Sequence, residues 1–204
     1  MRENVIIFGD GNADANPEIR NLLMIKLLIV RHAKTEWNKT GRIQGRSDIP
    51  LAPESRDATR AAACSIGHID AAYCSPLSRA RETAEILAEG KGVEPVPDDR
   101  LTERDFGEYE GRTYDELGLP DHTKLFYALS CAKGAESSEA VFDRVRSFLR
   151  DVAEKHEGQT VLIVSHGVCI SYLLYALTHE RFDERDYSMG YIKNLDVTEK
   201  EYRL

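Results

Sequence analysis

The fold of this chain is decided by the stretch Leu27-Leu28-Ile29-Val30-Arg31-His32. A short run that is apolar on both faces and rich in branched residues is typical of a strand buried in a parallel sheet. A second run of this kind, at 161–165, ends at His166. Because ligands bind beyond the carboxyl ends of parallel strands, we expect Arg31, His32 and His166 to line one pocket.

The rest of the chain alternates between strand and helix patterns. We predict strands at 25–30, 69–74 and 161–164, an edge strand at 191–197, and helices at 56–66, 77–89, 138–155 and 168–177. The loop at 101–111 carries Glu103. Strands that alternate with helices indicate an α/β fold with a mostly parallel sheet.

The length of 204 residues favours one domain, which we place at 24–204. The irregular stretch at about 112–135 is predicted to be a small insertion over the pocket. Met24 directly precedes the first strand. We therefore treat residues 1–23 as an N-terminal extension, and the sequence does not indicate its role.

Composition and charge exclude several classes of function. Lys and Arg number 27 against 35 Asp and Glu, a net charge of −8 that argues against nucleic-acid or membrane-surface partners. No apolar run is long enough to span a bilayer. The four cysteines form no CxxC motif, so we expect reduced thiols in a cytoplasmic protein. The oligomeric state cannot be derived from the sequence.

Several segments together resemble one known family. They are 28–32 with 35–38, 74–80 with 83–84, 101–107 with 110–111, and 161–167. In this order they resemble the phosphoglycerate mutase-like branch of the histidine phosphatase superfamily, including small phosphatases such as alpha-ribazole phosphatase. The resemblance covers nearly all of the chain from Ile25 onward. It implies a three-layer α/β/α sandwich around a mostly parallel central sheet.

The resemblance also assigns roles to individual residues. His32 matches the nucleophile that becomes phosphohistidine, and Glu103 matches the proton donor to the leaving group. His166 matches the second histidine at the phosphoryl group. Arg31 and Arg79 match the phosphate clamp, for which planar guanidinium groups are well suited.

The resemblance also implies further positions near the substrate, although the motifs that carry them are less specific. The matching residues are Asn38, Gln44, Gly45 and Gly167. The family needs no metal ion or other cofactor, because arginines and histidines supply the positive charge. The implied partner is a phosphorylated small molecule.

Taken singly, each of these residues has an ordinary structural alternative. The alternatives are a surface turn for Arg31 and His32, a helix start for His166, a solvated helix face for Arg79, and a pairing with Arg104 for Glu103. Only the joint pattern favours a catalytic site. Glu108 and Glu110 are interpreted as loop carboxylates. Outside the motifs, surface or pairing roles are expected for His68, His122, His156 and His179.

Two positions depart from the family pattern. Ala33 stands where the family usually has glycine, and a positive φ there would cost alanine about 1 kcal/mol. We nevertheless expect activity to survive. The stretch Leu51-Ala52-Pro53-Glu54-Ser55 replaces a more usual helix-start pattern, so the start of the following helix is in question.

The choice between phosphatase and mutase depends on cations in the insertion. Residues 113–143 contain Lys124 and Lys133 but no arginine, and Tyr114 occupies the position of a mutase lysine. Fewer cations hold a second phosphate less well, which favours a phosphatase acting on a small phosphomonoester. An apolar wall at 126–129 could contact its leaving group or pack under the insertion. The alternatives are a phosphoglycerate mutase-type isomerase and a non-catalytic phosphate-binding module.

Overall fold

The computed structural model describes residues 24–118, 132–188, 190 and 192–203. Within these ranges the strands are β1 (Ile25–Arg31), β2 (Ala71–Cys74), β3 (Val96–Pro97), β4 (Thr160–Ser165) and β5 (Val197–Tyr202). The α-helices are α1 (Glu36–Lys39), α2 (Ser55–Ala63), α3 (Ser78–Ala88), α4 (Ser138–Lys155) and α5 (Gly167–Ala176). Short 3-10 turns lie at Asp99–Leu101 and Gly107–Tyr109.

The strands form one sheet in the order β3-β2-β4-β1-β5. β1 pairs in parallel with β4, and the register places Arg31 opposite Ser165. β2 is parallel to both of its neighbours, whereas β5 runs antiparallel to β1. The prediction of a mostly parallel sheet is therefore confirmed. The pairing of β1 with β4 brings His32 and His166 out at the same edge.

Both faces of the sheet are covered by helices. Along β1, Leu27 and Ile29 belong to one buried core, which includes apolar residues of α4 and α5. Leu28 and Val30 belong to a second core, which includes residues of α3. Strand residues alternate between faces, so a strand that is apolar throughout feeds both cores. This arrangement is the three-layer α/β/α sandwich that the resemblance implied.

The predicted edge strand at 191–197 is wrong, because β5 begins only at Val197. Before it, the chain turns across the end of β1 at Asn194 and Leu195. The φ of Leu195 is +61°, and its backbone N–H donates to the carbonyl of Arg31 at 2.9 Å. The alternating pattern thus belongs to a turn that crosses the functional edge. The sequence analysis also missed β3, whose two residues are too few for a periodic pattern.

Helix prediction succeeded best where local signals were strongest. α4 spans Ser138–Lys155 as predicted, and the side chain of Ser137 caps its first turn by accepting from the N–H of Ala140. α2 forms in spite of the unusual preceding stretch, although it ends at Ala63, three residues before the predicted end.

Some predictions lie outside the described residues. These are the extension at 1–23, His122, Lys124, and the apolar wall at 126–129, with most of the insertion. The described start of the insertion contacts the body of the domain through a bridge between Arg42 and Thr113. In the parts of the chain that the structure describes, no helix is long and apolar enough to cross a membrane.

Candidate active site

A cavity of about 620 Å³ opens at the carboxyl edge of the sheet. Eight of the nine predicted site residues line it, namely Arg31, His32, Asn38, Gln44, Gly45, Arg79, Glu103 and Gly167. The ninth, His166, lies directly behind, with its ring centroid 5.0 Å from that of His32. Segments that are far apart in the sequence therefore meet at one place.

His32 is held as a neutral imidazole with a defined tautomer. Its Nδ1 lies 2.7 Å from the carbonyl oxygen of Ala33. A carbonyl can only accept, so Nδ1 carries the proton and Nε2 keeps its lone pair. Burial lowers the pKa of His32 well below its usual 6.5, and the positive charges of Arg79 and Arg31 lower it further. The arrangement suits a nucleophile.

His166 is fully buried at the end of β4, and its ring is tilted by 57° relative to that of His32. Burial lowers its pKa well below 6.5, and Arg79 and His32 add to the effect. Within the described residues, neither ring nitrogen has a hydrogen-bond partner. Buried polar groups are normally hydrogen-bonded, so this ring has capacity for a ligand oxygen.

Two arginines face the histidines from different elements. The Arg31 side chain donates to the carbonyl of Ile192 at 2.6 Å. Arg79 is fully buried near the start of α3 and donates to the carbonyls of Gly45 and Ser47, both at 2.8 Å. The Nε–H groups of both arginines have no partner in the described part of the chain.

Arg79 is therefore not on a solvated helix face, the alternative considered from the sequence. Burial lowers its pKa to about 10, against the opposing effect of Glu103 and other carboxylates. The guanidinium stays charged at neutral pH. Two guanidinium groups with free Nε–H donors, next to two buried imidazoles, form a site for a tetrahedral oxyanion.

Glu103 reaches the cavity from the loop after the first 3-10 turn. Its Oε1 accepts from the backbone N–H groups of Arg104 and Cys169, both at 2.9 Å. Its Oε2 accepts from the N–H of Val168 at 3.1 Å. The carboxylate therefore sits on the N-terminus of α5, where unpaired N–H groups and the helix dipole stabilise an anion. These contacts fix the orientation of Glu103 toward the cavity.

The side chains of Asn38 and Gln44 are both held by the buried hydroxyl of Thr35. This hydroxyl lies 3.0 Å from Oε1 of Gln44 and 3.2 Å from Oδ1 of Asn38. The backbone N–H of Thr35 also donates to Oδ1 of Asn38. Because both side-chain oxygens are engaged, the NH₂ groups of the two amides are left to donate into the cavity.

Neither Gly167 nor Ala33 is under steric strain at this site. A Cβ on Gly167 would lie 3.4 Å from Cζ of Arg31, an ordinary van der Waals distance, so the start of α5 lies against the guanidinium without requiring glycine. Ala33 does not have a positive φ, and its N–H donates to the hydroxyl of Thr83 at 3.0 Å. The departure from glycine at position 33 therefore causes no backbone strain.

The sequence analysis missed several residues of the cavity wall. They include Lys34, Trp37, Arg42 and Asn194, whereas Tyr114, which the sequence analysis had singled out at a mutase lysine position, also lines the cavity. Trp37 lies in a motif segment that could have indicated it. Asn194 has no local signal, although its Nδ2 donates to the backbone carbonyl of His32 at 2.8 Å. Only the turn before β5 brings it there.

The remaining histidines of the described residues lie in pairing contacts. His68 lies 2.9 Å from Asp70, and His179 stacks on Tyr175. His156 is buried between the hydroxyl of Tyr73 and the side chain of Gln159. The described part of the chain holds no group of three or more His, Cys, Asp or Glu that could bind a metal ion.

Comparison with known proteins gives one consistent family. Residues 27–203 match the model of the histidine phosphatase superfamily (branch 1). Phosphoserine phosphatase 1 of Hydrogenobacter thermophilus is 35% identical over 161 residues, 76% of each chain. "Probable phosphoglycerate mutase GpmB" of Salmonella choleraesuis is 35% identical over 74% of each chain. The structure of Bacillus stearothermophilus YhfR aligns with a TM-score of 0.73 and 32% identity, covering 86% of this chain and 90% of YhfR.

The chain belongs to the histidine phosphatase superfamily, as its motifs indicated. Its activity class is that of a phosphomonoester hydrolase of the histidine phosphatase type.

Proposed function

We propose that this chain hydrolyses a small phosphomonoester through a phosphohistidine formed on His32. The observation that carries the proposal is the tautomer of His32, whose Nδ1–H is bound to the Ala33 carbonyl and whose Nε2 is free to attack. Around it lie side-chain nitrogens that have no hydrogen-bond partner within the described residues, namely Nε of Arg31, Nε of Arg79 and both ring nitrogens of His166.

In the first step, Nε2 of His32 attacks phosphorus, and the P–N bond forms as the ester P–O bond breaks. The leaving oxygen takes a proton from Glu103, which lines the same cavity. Three backbone N–H groups bind the carboxylate that remains after the transfer. Glu103 gives up one proton in this step and takes one back in the next, so the cycle returns it to its starting form.

In the second step, water attacks the phosphohistidine. Glu103, now ionised, accepts a proton from the water while the P–N bond breaks. Inorganic phosphate leaves, and His32 returns to its neutral form with Nδ1 still bonded to Ala33. Covalent catalysis divides one difficult displacement into two easier ones.

The donors around phosphorus stabilise charge that develops in each transition state. Arg31 and Arg79 offer Nε–H groups, and His166 offers a ring nitrogen. Removing one such preorganised donor typically costs about 10²–10³ in kcat. The amide NH₂ groups of Asn38 and Gln44 are placed to bind further phosphoryl oxygens.

Hydrolysis rather than phosphoryl transfer between hydroxyls is favoured by the charge of the insertion. The described parts of 113–143 carry Lys133 and no arginine. A second phosphate therefore finds few cations there, and water can complete the reaction. Incubation with 3-phosphoglycerate, with and without a bisphosphate primer, separates the two activities. Release of phosphate supports the proposal, and rapid interconversion without release contradicts it.

We propose that the substrate is a small phosphorylated metabolite and that the protein is cytoplasmic. The names of the relatives, phosphoserine phosphatase and phosphoglycerate mutase, support substrates of this size. The free thiols of Cys64, Cys74 and Cys169 support a reducing compartment. A phosphate-release assay across a panel of phosphorylated metabolites identifies the substrate, and cell fractionation tests the compartment.

The covalent intermediate has a direct test. The protein is mixed with a ³²P-labelled phosphomonoester and quenched in alkali within milliseconds. We expect label on the protein that is stable in alkali and lost in acid, as a phosphoramidate is, and mapped to the peptide containing His32. Full phosphatase activity without such label would contradict the mechanism.

A further inference from the structure

Arg79 depends on one short loop for the direction of its guanidinium group. Its two terminal nitrogens donate to the carbonyls of Gly45 and Ser47, each at 2.8 Å. With both terminal nitrogens held, the unpartnered Nε–H is fixed in place next to the histidines. The position of residues 45–47 therefore sets the position of this part of the oxyanion site.

The loop is held in turn by one carboxylate, that of Glu110. Its Oε1 accepts from the N–H of Arg46 at 2.8 Å, and its Oε2 accepts from the N–H of Ser47 at 2.9 Å. The Ser47 hydroxyl also donates to Oε2, at 2.6 Å. Oε1 further accepts from the N–H of Phe106 at 3.2 Å, which ties the loop to the segment that follows Glu103.

Gly45 shows how closely the carboxylate of Glu110 approaches the loop. Its φ is +53°, and a Cβ at this position would lie 2.0 Å from Oε1 of Glu110. Such a contact is far inside van der Waals distance, so only glycine allows the carboxylate to sit against the loop. The requirement for glycine at position 45 thus has two sources, the positive φ and the approach of Glu110.

The same loop also fixes the helix that carries Arg79. Oδ1 of Asp48 accepts from the N–H of Ser78 at 2.8 Å and from its hydroxyl at 2.7 Å. This caps the first turn of α3 and positions the backbone of Arg79 one residue later. The loop at 45–48 therefore binds both ends of Arg79, its backbone through Asp48 and its guanidinium through two carbonyls.

We infer that Glu110 is a positioning residue for the oxyanion site, acting through the loop at 45–47 on the guanidinium of Arg79. Glu110 is not among the residues that line the cavity, so it makes no direct contact with a ligand there. Three of its four hydrogen bonds hold the loop in the arrangement that presents both carbonyls to Arg79, and the fourth anchors the carboxylate to the N–H of Phe106. The inference rests on the proposed function only in taking the ligand of Arg79 to be a phosphoryl group.

The test is a double-mutant cycle on the binding of inorganic phosphate, measured by isothermal titration calorimetry. We expect Glu110→Ala to weaken binding by about tenfold or more, since hydrogen bonds to a charged group are lost. In the Arg79→Ala background, the same change should have little further effect, because the residue through which it acts is gone. Glu110→Gln keeps one acceptor oxygen and should fall between wild type and Glu110→Ala.

A matched control is available on the same segment. Glu108→Ala removes an equal charge from a carboxylate whose described side-chain hydrogen bond is with the N–H of Lys133 and not with the loop. It should leave phosphate affinity unchanged. If Glu110→Ala does not fold, as judged by thermal unfolding, Ser47→Ala removes one of the four bonds and should show a smaller loss with the same dependence on Arg79.

The inference fails if Glu110→Ala weakens phosphate binding equally with and without Arg79, or if Glu108→Ala weakens it as much. Failure of the proposed function would look different. The wild-type chain would then bind phosphate and show the coupling, yet release no phosphate from any ester.

Discussion

His32 and His166 carry the same side chain, are both buried, and follow neighbouring parallel strands, yet the structure holds them differently. Nδ1 of His32 is bonded to the carbonyl of Ala33, whereas both ring nitrogens of His166 are unbonded within the described residues. The same causes, burial and nearby positive charge, lower the pKa of each. The difference therefore lies in the hydrogen bonding of the two rings.

Under the proposed mechanism, the two histidines use the same side chain for two purposes. A nucleophile needs a fixed tautomer and a fixed direction of attack, and a bonded Nδ1–H supplies both. A residue that stabilises a phosphoryl oxygen needs a ring atom that the protein has left unpaired. This assignment predicts that the two histidines respond differently to the same substitution.

The largest effect is expected from His32→Asn. Loss of the nucleophile should lower kcat for p-nitrophenyl phosphate by about 10⁴ or more, as for a knocked-out nucleophile in a comparable covalent mechanism. The acid-labile label should disappear at the same time. Turnover within a few-fold of wild type would remove His32 from the chemistry.

His166→Asn is expected to have the next largest effect. It removes a transition-state donor and leaves the nucleophile, so kcat should fall by about 10²–10³. Acid-labile label should still form, but slowly. Complete loss of label, with the fold intact by circular dichroism, would show that the two histidines are not divided in this way.

The pH dependence of activity tests the lowered pKa, which is the property that the two histidines share. Because the pKa of His32 is lowered, the acid limb of kcat/KM should lie below pH 6.5, the usual histidine value. An acid limb centred above 6.5 would contradict the burial argument.

Stability should depend on pH for the same reason. The unfolded chain protonates these rings near 6.5, while the native state keeps them neutral to lower pH. The unfolded state therefore binds more protons below 6.5, and the free energy of unfolding should decline as pH falls below that value. The free energy of unfolding can be measured by denaturant titration at pH 7 and at pH 5. Between these two values it should decline less in the double variant His32→Asn with His166→Asn than in the wild type.

The smallest effect is expected from Asn194→Ala. The amide of Asn194 donates to the backbone carbonyl of His32, and nothing comparable is seen at His166 among the described contacts. Its loss should destabilise the fold by about 1 kcal/mol and reduce kcat a few-fold, by loosening the segment that aims the nucleophile. Asn194→Asp, which keeps the size but not the donor, should behave like the alanine variant.

Prediction from sequence was most successful where the information is local. The apolar runs of β1 and β4 need no partner to be recognised, because a strand buried on both faces is apolar throughout. α4 was placed at its observed bounds by its apolar stripe, and the structure adds the cap at Ser137. The same reasoning failed at 191–197, where an alternating pattern lies in a turn across the site.

The sequence by itself determined the family, the α/β sheet, and a set of site residues that the fold brings to one cavity. Residue type and order are enough for this, because the chemistry of an oxyanion site restricts which side chains can serve. Only the tertiary structure decided which nitrogen of His32 carries the proton, that Glu103 lies on the start of α5, and that Glu110 holds the loop under Arg79. Each of these depends on hydrogen bonds between segments far apart in the chain, and such bonds leave no periodic or local trace in the sequence.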